Sequence, residues 1–116
     1  MLRTVALGRS QLADHNAARY SYAVITDFAS RETELIWNGH FSRKLPPEIQ
    51  RLIRRKLGML DAAYRIEDLQ LPPSNRLELL HGNRKGQYSI RVNDRWRICF
   101  VWLDGNCSAV EVVDYH

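Results

Sequence analysis

The stretch from Gln87 to Trp102 reads QYSIRV, then Asn93-Asp94, then RWRICFVW. The first run alternates strictly between polar and apolar side chains, the second does so through Ile98 and then stays apolar, and between them stand two residues that tolerate positive φ and tight turns. That is the pattern of two antiparallel strands joined by a short loop. Successive strand side chains point to opposite faces. Tyr88, Ile90, Val92, Trp96, Ile98, Phe100 and Trp102 therefore share one face, and Gln87, Ser89, Arg91, Arg95, Arg97, Cys99 and Val101 share the other. Downstream, Asp104-Gly105-Asn106 makes a second turn, and Cys107 to Tyr115 (CSAVEVVDY) a further strand. Upstream, Arg76 to Leu80 (RLELL) precedes the glycine-bounded loop Gly82 to Gly86 (GNRKG). The second half of the chain thus reads as a four-stranded meander.

Further upstream the apolar period lengthens to near 3.6. Pro46 and Pro47 open a helix, because proline is tolerated where the first-turn N–H groups have no intrahelical partner. Along it Ile49, Leu52, Ile53, Leu57, Leu60 and Tyr64 recur at spacings of three and four, with Arg51, Arg54 and Arg55 opposite. A shorter helix is predicted over Arg31 to Asn38, with Ser30 as its N-cap, Glu32 and Glu34 in its first turn and Gly39 just past its end. Tyr22 to Phe28 (YAVITDF) is β-branched and aromatic enough for a strand. A strand, two helices and then a meander predict an α+β domain, a small antiparallel or mixed sheet with the two N-terminal helices packed on one face. Residues 1 to 21 fit neither period and read as an appendage.

The 116 residues, 45% apolar and 26% charged, fit a single ordinary globular domain and exclude collagen-like or disordered chains. No run is long and apolar enough for a membrane helix or the core of a signal peptide, so a cytoplasmic, membrane-free protein is expected. Seventeen Lys and Arg against thirteen Asp and Glu give a net charge of +4, which permits a nucleic-acid partner without demanding one. Cys99 and Cys107 belong to no CxxC or Cys/His cluster, so buried thiols are expected rather than a zinc site or disulfide.

The second sheet face concentrates cations. Arg76, Arg91, Arg95 and Arg97 lie on it with Glu78, the hairpin loop adds Arg84 and Lys85, and His81 stands at the loop's entrance. A solvated polar face is the default reading of such a set. The functional reading is an anion-binding surface, since a guanidinium is always charged and can hold two phosphate oxygens. The last strand runs into Asp114, Tyr115 and His116, three groups able to hydrogen-bond or move protons. Alternation puts Tyr115 with Glu111 on the arginine face and sends Asp114 and His116 the other way, but alternation fails past the last ladder bond. Trp37, Trp96 and Trp102 read as core.

Taken together, the runs KLPPEIQRLIRRKLGMLDAA (Lys44 to Ala63), LPPSNRLELLHGNRKGQYSIRVNDRWRICFVW (Leu71 to Trp102) and VEVVDYH (Val110 to His116) resemble the HigB toxins of bacterial toxin–antitoxin systems, in the RelE/ParE superfamily. The resemblance implies a RelE-like fold and a ribosome-dependent endoribonuclease that cuts messenger RNA and is neutralised by a helix-turn-helix HigA antitoxin. The family's closing Asp-Tyr-His falls on Asp114, Tyr115 and His116, and its strand arginine on Arg97. Where characterised members can carry a histidine before the basic loop, this chain has Glu78, with His81 three residues later. Glutamate substitutes, or His81 does, or neither is needed. Members typically begin near Val24, so residues 1 to 23 are expected to be an upstream translation, with Val24 as the true initiator and 24 to 116 as the toxin domain.

RNA cleavage without a metal needs a base for the 2′-OH, cations for the phosphorane-like transition state and an acid for the departing 5′-oxygen. His116 or Tyr115 is expected to move the proton and Asp114 to orient its neighbours. Arg97, Arg91 and Arg84 neutralise the phosphate, and Lys85, Arg95, His81 and Glu78 complete the RNA-facing set. No cofactor or metal is called for. A gyrase-directed ParE-like toxin or a non-catalytic RNA- or partner-binding domain would share the fold.

Overall fold

The computed structural model of the protein describes Arg3–Thr4 and residues 24 to 115. The rest of the expected appendage, and His116, lie outside the described residues.

Two short strands, β2 (Val24–Ile25) and β3 (Asp27–Phe28), replace the single predicted run from Tyr22. Both run parallel to the final strand β7 (Asn106–Asp114). The sheet is therefore mixed, because β3 is joined to the meander only through helices and connecting turns, the kind of long crossover that parallel pairing requires. Strand β1 (Arg3–Thr4) lies antiparallel beside β3. The order is β1-β3-β7-β6-β5-β4, with β2 also against β7; β4 is Glu78–Leu79, β5 Gln87–Arg91 and β6 Trp96–Leu103. The predicted five-residue strand at Arg76 is only two residues long, since Arg76 sits in the left-handed region at φ 46° and turns the chain. The β6–β7 hairpin is tighter than expected: Asp104 and Gly105 both have positive φ (51° and 80°), so Leu103 and Asn106 still pair.

Helix α1 (Arg31–Trp37) starts as its sequence requires, the Ser30 hydroxyl accepting the Thr33 N–H at 3.2 Å. The Thr33 hydroxyl in turn accepts the N–H of Val112 at 3.0 Å, just past the point where β3 stops pairing with β7 at Val110. Helix α2 (Pro47–Ala62) has Pro46 at its N-cap. Its Ile49, Ile53, Leu57 and Leu60 are buried in one cluster with Ile36 of α1 and with Ile25, Phe28, Ile90, Ile98, Phe100 and Val110 of the sheet. Tyr64, the last residue of the predicted stripe, falls beyond the helix and is exposed. Among the described residues no helix is long and apolar enough to cross a membrane.

Two further features position the site. Between Cys99↔Glu111 and Val101↔Ser108 the β6–β7 ladder carries a bulge, where Ala109 and Val110 together oppose Phe100. Ala109 takes φ 52° and donates its N–H to Asp27 Oδ1 at 2.6 Å. The connector between α2 and β4, single 3-10 turns at Ile66–Gln70 and Pro73–Asn75, is fastened from beneath. Asn75, wholly buried, donates from Nδ2 to the Leu69 and Leu71 carbonyls at 3.2 Å each and accepts from the Lys56 ammonium. Lys56 is only 4% exposed, a position that helical periodicity assigned to no face.

Candidate active site

Strand register builds the site in rows. Glu78 pairs with Ser89, Ser89 with Cys99 and Cys99 with Glu111, while Arg91 pairs with Arg97 and Arg97 with Val113. The second sheet face is thus the arginine face that alternation predicts. Its centre is not solvated, however, since Ser89 and Cys99 are fully buried.

Arg97 is the best-held side chain of this face, only 12% exposed. Its Nε donates to Ser89 Oγ at 2.8 Å and its Nη2 to the Arg76 carbonyl at 2.6 Å. Arg76 can offer that carbonyl because the left-handed turn ends the connector there, directly after the clamped Asn75. The Glu78 carboxylate stands 3.8 Å from the same guanidinium. Over its other side lies the Tyr115 ring, 5.8 Å from the guanidinium carbon, a cation–π arrangement. Tyr115 is 45% exposed, so one edge of the phenol faces solvent.

Burial raises the Tyr115 hydroxyl above the ordinary tyrosine value, helped by the neighbouring Cys99 thiol, and the Arg97 and Arg84 charges do not reverse this. Burial likewise raises Cys99. At neutral pH the pair is a phenol and a thiol, both protonated. Tyr115 therefore offers an O–H donor next to a fixed cation, and it is no tyrosinate base in the free protein.

Arg76, Glu78, Arg91, Asn93, Asp94, Arg97 and Tyr115 line an open groove of about 510 Å³, and a shallower one runs on past Leu77. Of the residues singled out in the sequence, the groove gathers Glu78, Arg91, Arg97 and Tyr115. Arg84 points its Nη1 at Gln87 (3.0 Å) and Glu111 (3.2 Å) instead. Arg95 makes a two-pronged pair with Asp114, with Nε at 3.0 Å and Nη2 at 2.8 Å, and lies over the Trp96 ring. His81 and Lys85 are exposed at the ends of the Gly82–Arg84 turn, outside the groove lining. Asp114 pairs across the ladder with Trp96 while Tyr115 lies against Arg97, which decides what parity left open for these two residues.

Asn93 is a groove residue that pattern reading did not put among the site candidates, and Arg76, which it placed on the cationic face without a role at the site, lines the groove too. Arg76 owes its place to a backbone angle no propensity announces. Asn93 shapes the β5–β6 turn by accepting the Arg95 and Trp96 N–H groups on its side-chain oxygen. The expectation of a cation-rich face needs correcting in one respect. Arg84, Arg91, Arg95 and Arg97 each face a carboxylate, of Glu111, Asp94, Asp114 and Glu78 respectively, so most of that charge is compensated within the face. Among the described residues no three His, Cys, Asp or Glu side chains gather into a metal-ion site.

An α+β fold with a mixed sheet and two helices is compatible with the RelE-like fold. Residues 26–116 match the family described as RelE-like toxin of type II toxin-antitoxin system HigB, and the chain belongs to that family. It is 51% identical over 63 residues to Toxin HigB-1 of Vibrio cholerae, a match covering 54% of this chain and 66% of that protein. With an uncharacterized Haemophilus influenzae protein it shares 40% identity over 62 residues, 53% of this chain and 61% of the relative. Both matches thus span just under two thirds of the relatives' length. Endoribonuclease HigB of Proteus vulgaris is 28% identical over 93 residues, covering 80% of this chain and the whole of that protein.

Proposed function

We propose that this protein is the toxin of a type II toxin–antitoxin pair and acts as a metal-independent endoribonuclease on messenger RNA engaged by the ribosome, in the cytoplasm. The observation that carries this reading is Arg97, immobilised by Ser89 and Arg76 and stacked under the Tyr115 ring at the edge of an open groove. A preorganised guanidinium stabilises charge as it develops on a phosphoryl group, with no reorganisation at the moment of reaction. Its relative named as an endoribonuclease supports the same chemistry.

In the proposed step the 2′-oxygen attacks the adjacent phosphorus and the bond from phosphorus to the 5′-oxygen breaks, leaving a 2′,3′-cyclic phosphate and a 5′-hydroxyl. His116, whose side chain type titrates near neutrality, takes the 2′-OH proton. Tyr115, held protonated by its surroundings, gives a proton to the departing 5′-oxygen. Arg97 with Arg91 and Arg76 neutralises the non-bridging oxygens. Glu78 holds Arg97 from across the groove, and of Glu78 and His81 only Glu78 lines it. Asp114 braces the tail through Arg95, and Arg84, Lys85, Arg95 and His81 form an outer rim for the RNA. A HigA-type helix-turn-helix antitoxin is the expected neutralising partner.

Primer extension on a message translated in a reconstituted system tests this. Codon-associated cuts with wild-type protein, absent with Arg97→Gln, are the expected result. Uncut message together with gyrase-dependent DNA damage would move the protein to the ParE-like class.

A further inference from the structure

The paired arginines of the sheet face raise a question of affinity. A phosphate entering the groove must compete there with Asp94 for Arg91 and with Glu78 for Arg97, guanidinium groups already engaged. Helix α2 differs. Arg51, Arg54 and Arg55 are exposed, and among the described residues none of the three side chains has a hydrogen bond or ion pair.

At spacings of three and four they are neighbours on one side of the helix, where like charges repel. Glu48 lies three residues before Arg51 but makes no ion pair with it, and neither Arg54 nor Arg55 has an acid three or four residues away. Together with Trp37, at the end of α1, these arginines line a second open groove of about 360 Å³ that shares no residue with the first. Arg54 lies against the turn after α1: a Cβ added at Gly39 would sit 3.8 Å from its Nη2. Gly39 itself has φ 87°, a backbone angle that residues with side chains rarely adopt. The fold thus holds three uncompensated, mutually repelling cations beside an indole ring, an arrangement that a polyanion with flat bases relieves.

We propose that Arg51, Arg54, Arg55 and Trp37 form a second RNA-binding surface, which grips the substrate strand away from the scissile phosphate. Affinity for the RNA backbone then resides mainly on helix α2, and the chemistry on the sheet. This rests on the reading that the protein acts on RNA, and goes beyond it by separating holding from cutting.

The test is equilibrium binding of the full chain to an RNA of about 20 nucleotides, longer than the roughly 4 to 16 that such platforms engage. The RNA carries 2′-O-methyl groups so that it cannot be cleaved, and binding is measured across a salt series. Each phosphate contact on a single strand contributes about 0.7 to the slope of log K against log salt. The variant Arg51→Gln/Arg54→Gln/Arg55→Gln, which keeps good helix formers in place, should lose about 2 from that slope. Arg97→Gln should lose well under 0.7, because Glu78 already offsets that charge. Circular dichroism and a thermal melt establish that the triple variant is folded, and if it is not, Arg54→Gln and Arg55→Gln singly should each lose about 0.7. A wild-type slope in the folded variants overturns the proposal while leaving the nuclease reading intact. It is also overturned if these variants bind RNA normally but release an acidic protein partner. If the wild-type protein itself binds no RNA, this proposal is overturned, and primer extension on a translated message decides the nuclease reading separately.

Discussion

The clamp between Lys56 and Asn75 gives the sharpest test of how the fold supports the groove. Both residues are buried, and among the described residues the Lys56 ammonium has Asn75 for a hydrogen-bond partner and no carboxylate. Asn75→Ala removes the acceptor from a buried cation, worth about 1.5–3 kcal/mol, and strands the Leu69 and Leu71 carbonyls at about 1 kcal/mol each. The expected loss is about 3–5 kcal/mol. Lys56→Met should cost much less, about 0–2 kcal/mol, because abolishing the buried charge offsets the acceptor left unpaired on Asn75.

In the Lys56→Met background Asn75→Ala loses its largest component, so the two changes should couple by about 2 kcal/mol. Urea titrations of the four proteins supply the cycle. Additivity within about 0.5 kcal/mol would refute the clamp. There is also a pH signature. Burial, with Arg55 and Arg91 nearby, lowers the Lys56 pKa below its ordinary 10.5. In the window just below that value the unfolded chain holds a proton the folded one has released, so the Lys56 contribution rises with pH there. Lys56→Met should abolish that rise. Since Asn75 precedes the carbonyl that grips Arg97, Asn75→Ala should also slow cleavage at temperatures where it is still folded.

Arg97→Lys keeps the charge but cannot reach Ser89 and the Arg76 carbonyl together, so single-turnover cleavage should fall by about 10²-fold or more with the melt unchanged within a few degrees. A rate within threefold of wild type would show that the fork geometry is irrelevant. With Tyr115 as proton donor, the alkaline limb of the activity profile should lie above the ordinary tyrosine 10, and Tyr115→Phe should lose that limb along with most of its rate. An alkaline limb retained in the Phe variant would assign it to another group. Ala109→Gly relieves a positive φ and should raise stability by up to about 1 kcal/mol in a thermal melt, while a drop would mean the Ala109 methyl is packed.

The meander was legible because its strands alternate and its turns are written in Asn, Asp and Gly. Both helices were legible from Ser30, the Pro46-Pro47 pair and the Ile49–Leu60 stripe. Parallel pairing of β2 and β3 with β7 was not, since nothing local distinguishes a strand that joins its neighbour through a crossover. Among site residues, Arg91 and Arg97 follow from parity on one face, while parity left open which of Asp114, Tyr115 and His116 faces them. The compensation of the arginines does not follow from it, because Glu78, Asp94, Glu111 and Asp114 meet their partners through side-chain reach across loops and strands. Lys56 was invisible for a related reason: a lysine reads as solvated unless its buried acceptor, nineteen residues away at Asn75, is known.

The bulge at Ala109 fixes the phase of the chain's end. Counted from the β6–β7 turn, an uninterrupted ladder would set Asp114 opposite Arg95 on the groove side and turn Tyr115 away. One absorbed residue restores Glu111, Val113 and Tyr115 to the row of Cys99, Arg97 and Arg95. The fold thus tolerates a length error on the hairpin side of the bulge, where a residue can be lost and the tail keeps its address. On the other side, between Val110 and Tyr115, a single inserted residue would exchange a carboxylate for the phenol over Arg97 and leave the rest of the sheet as it was.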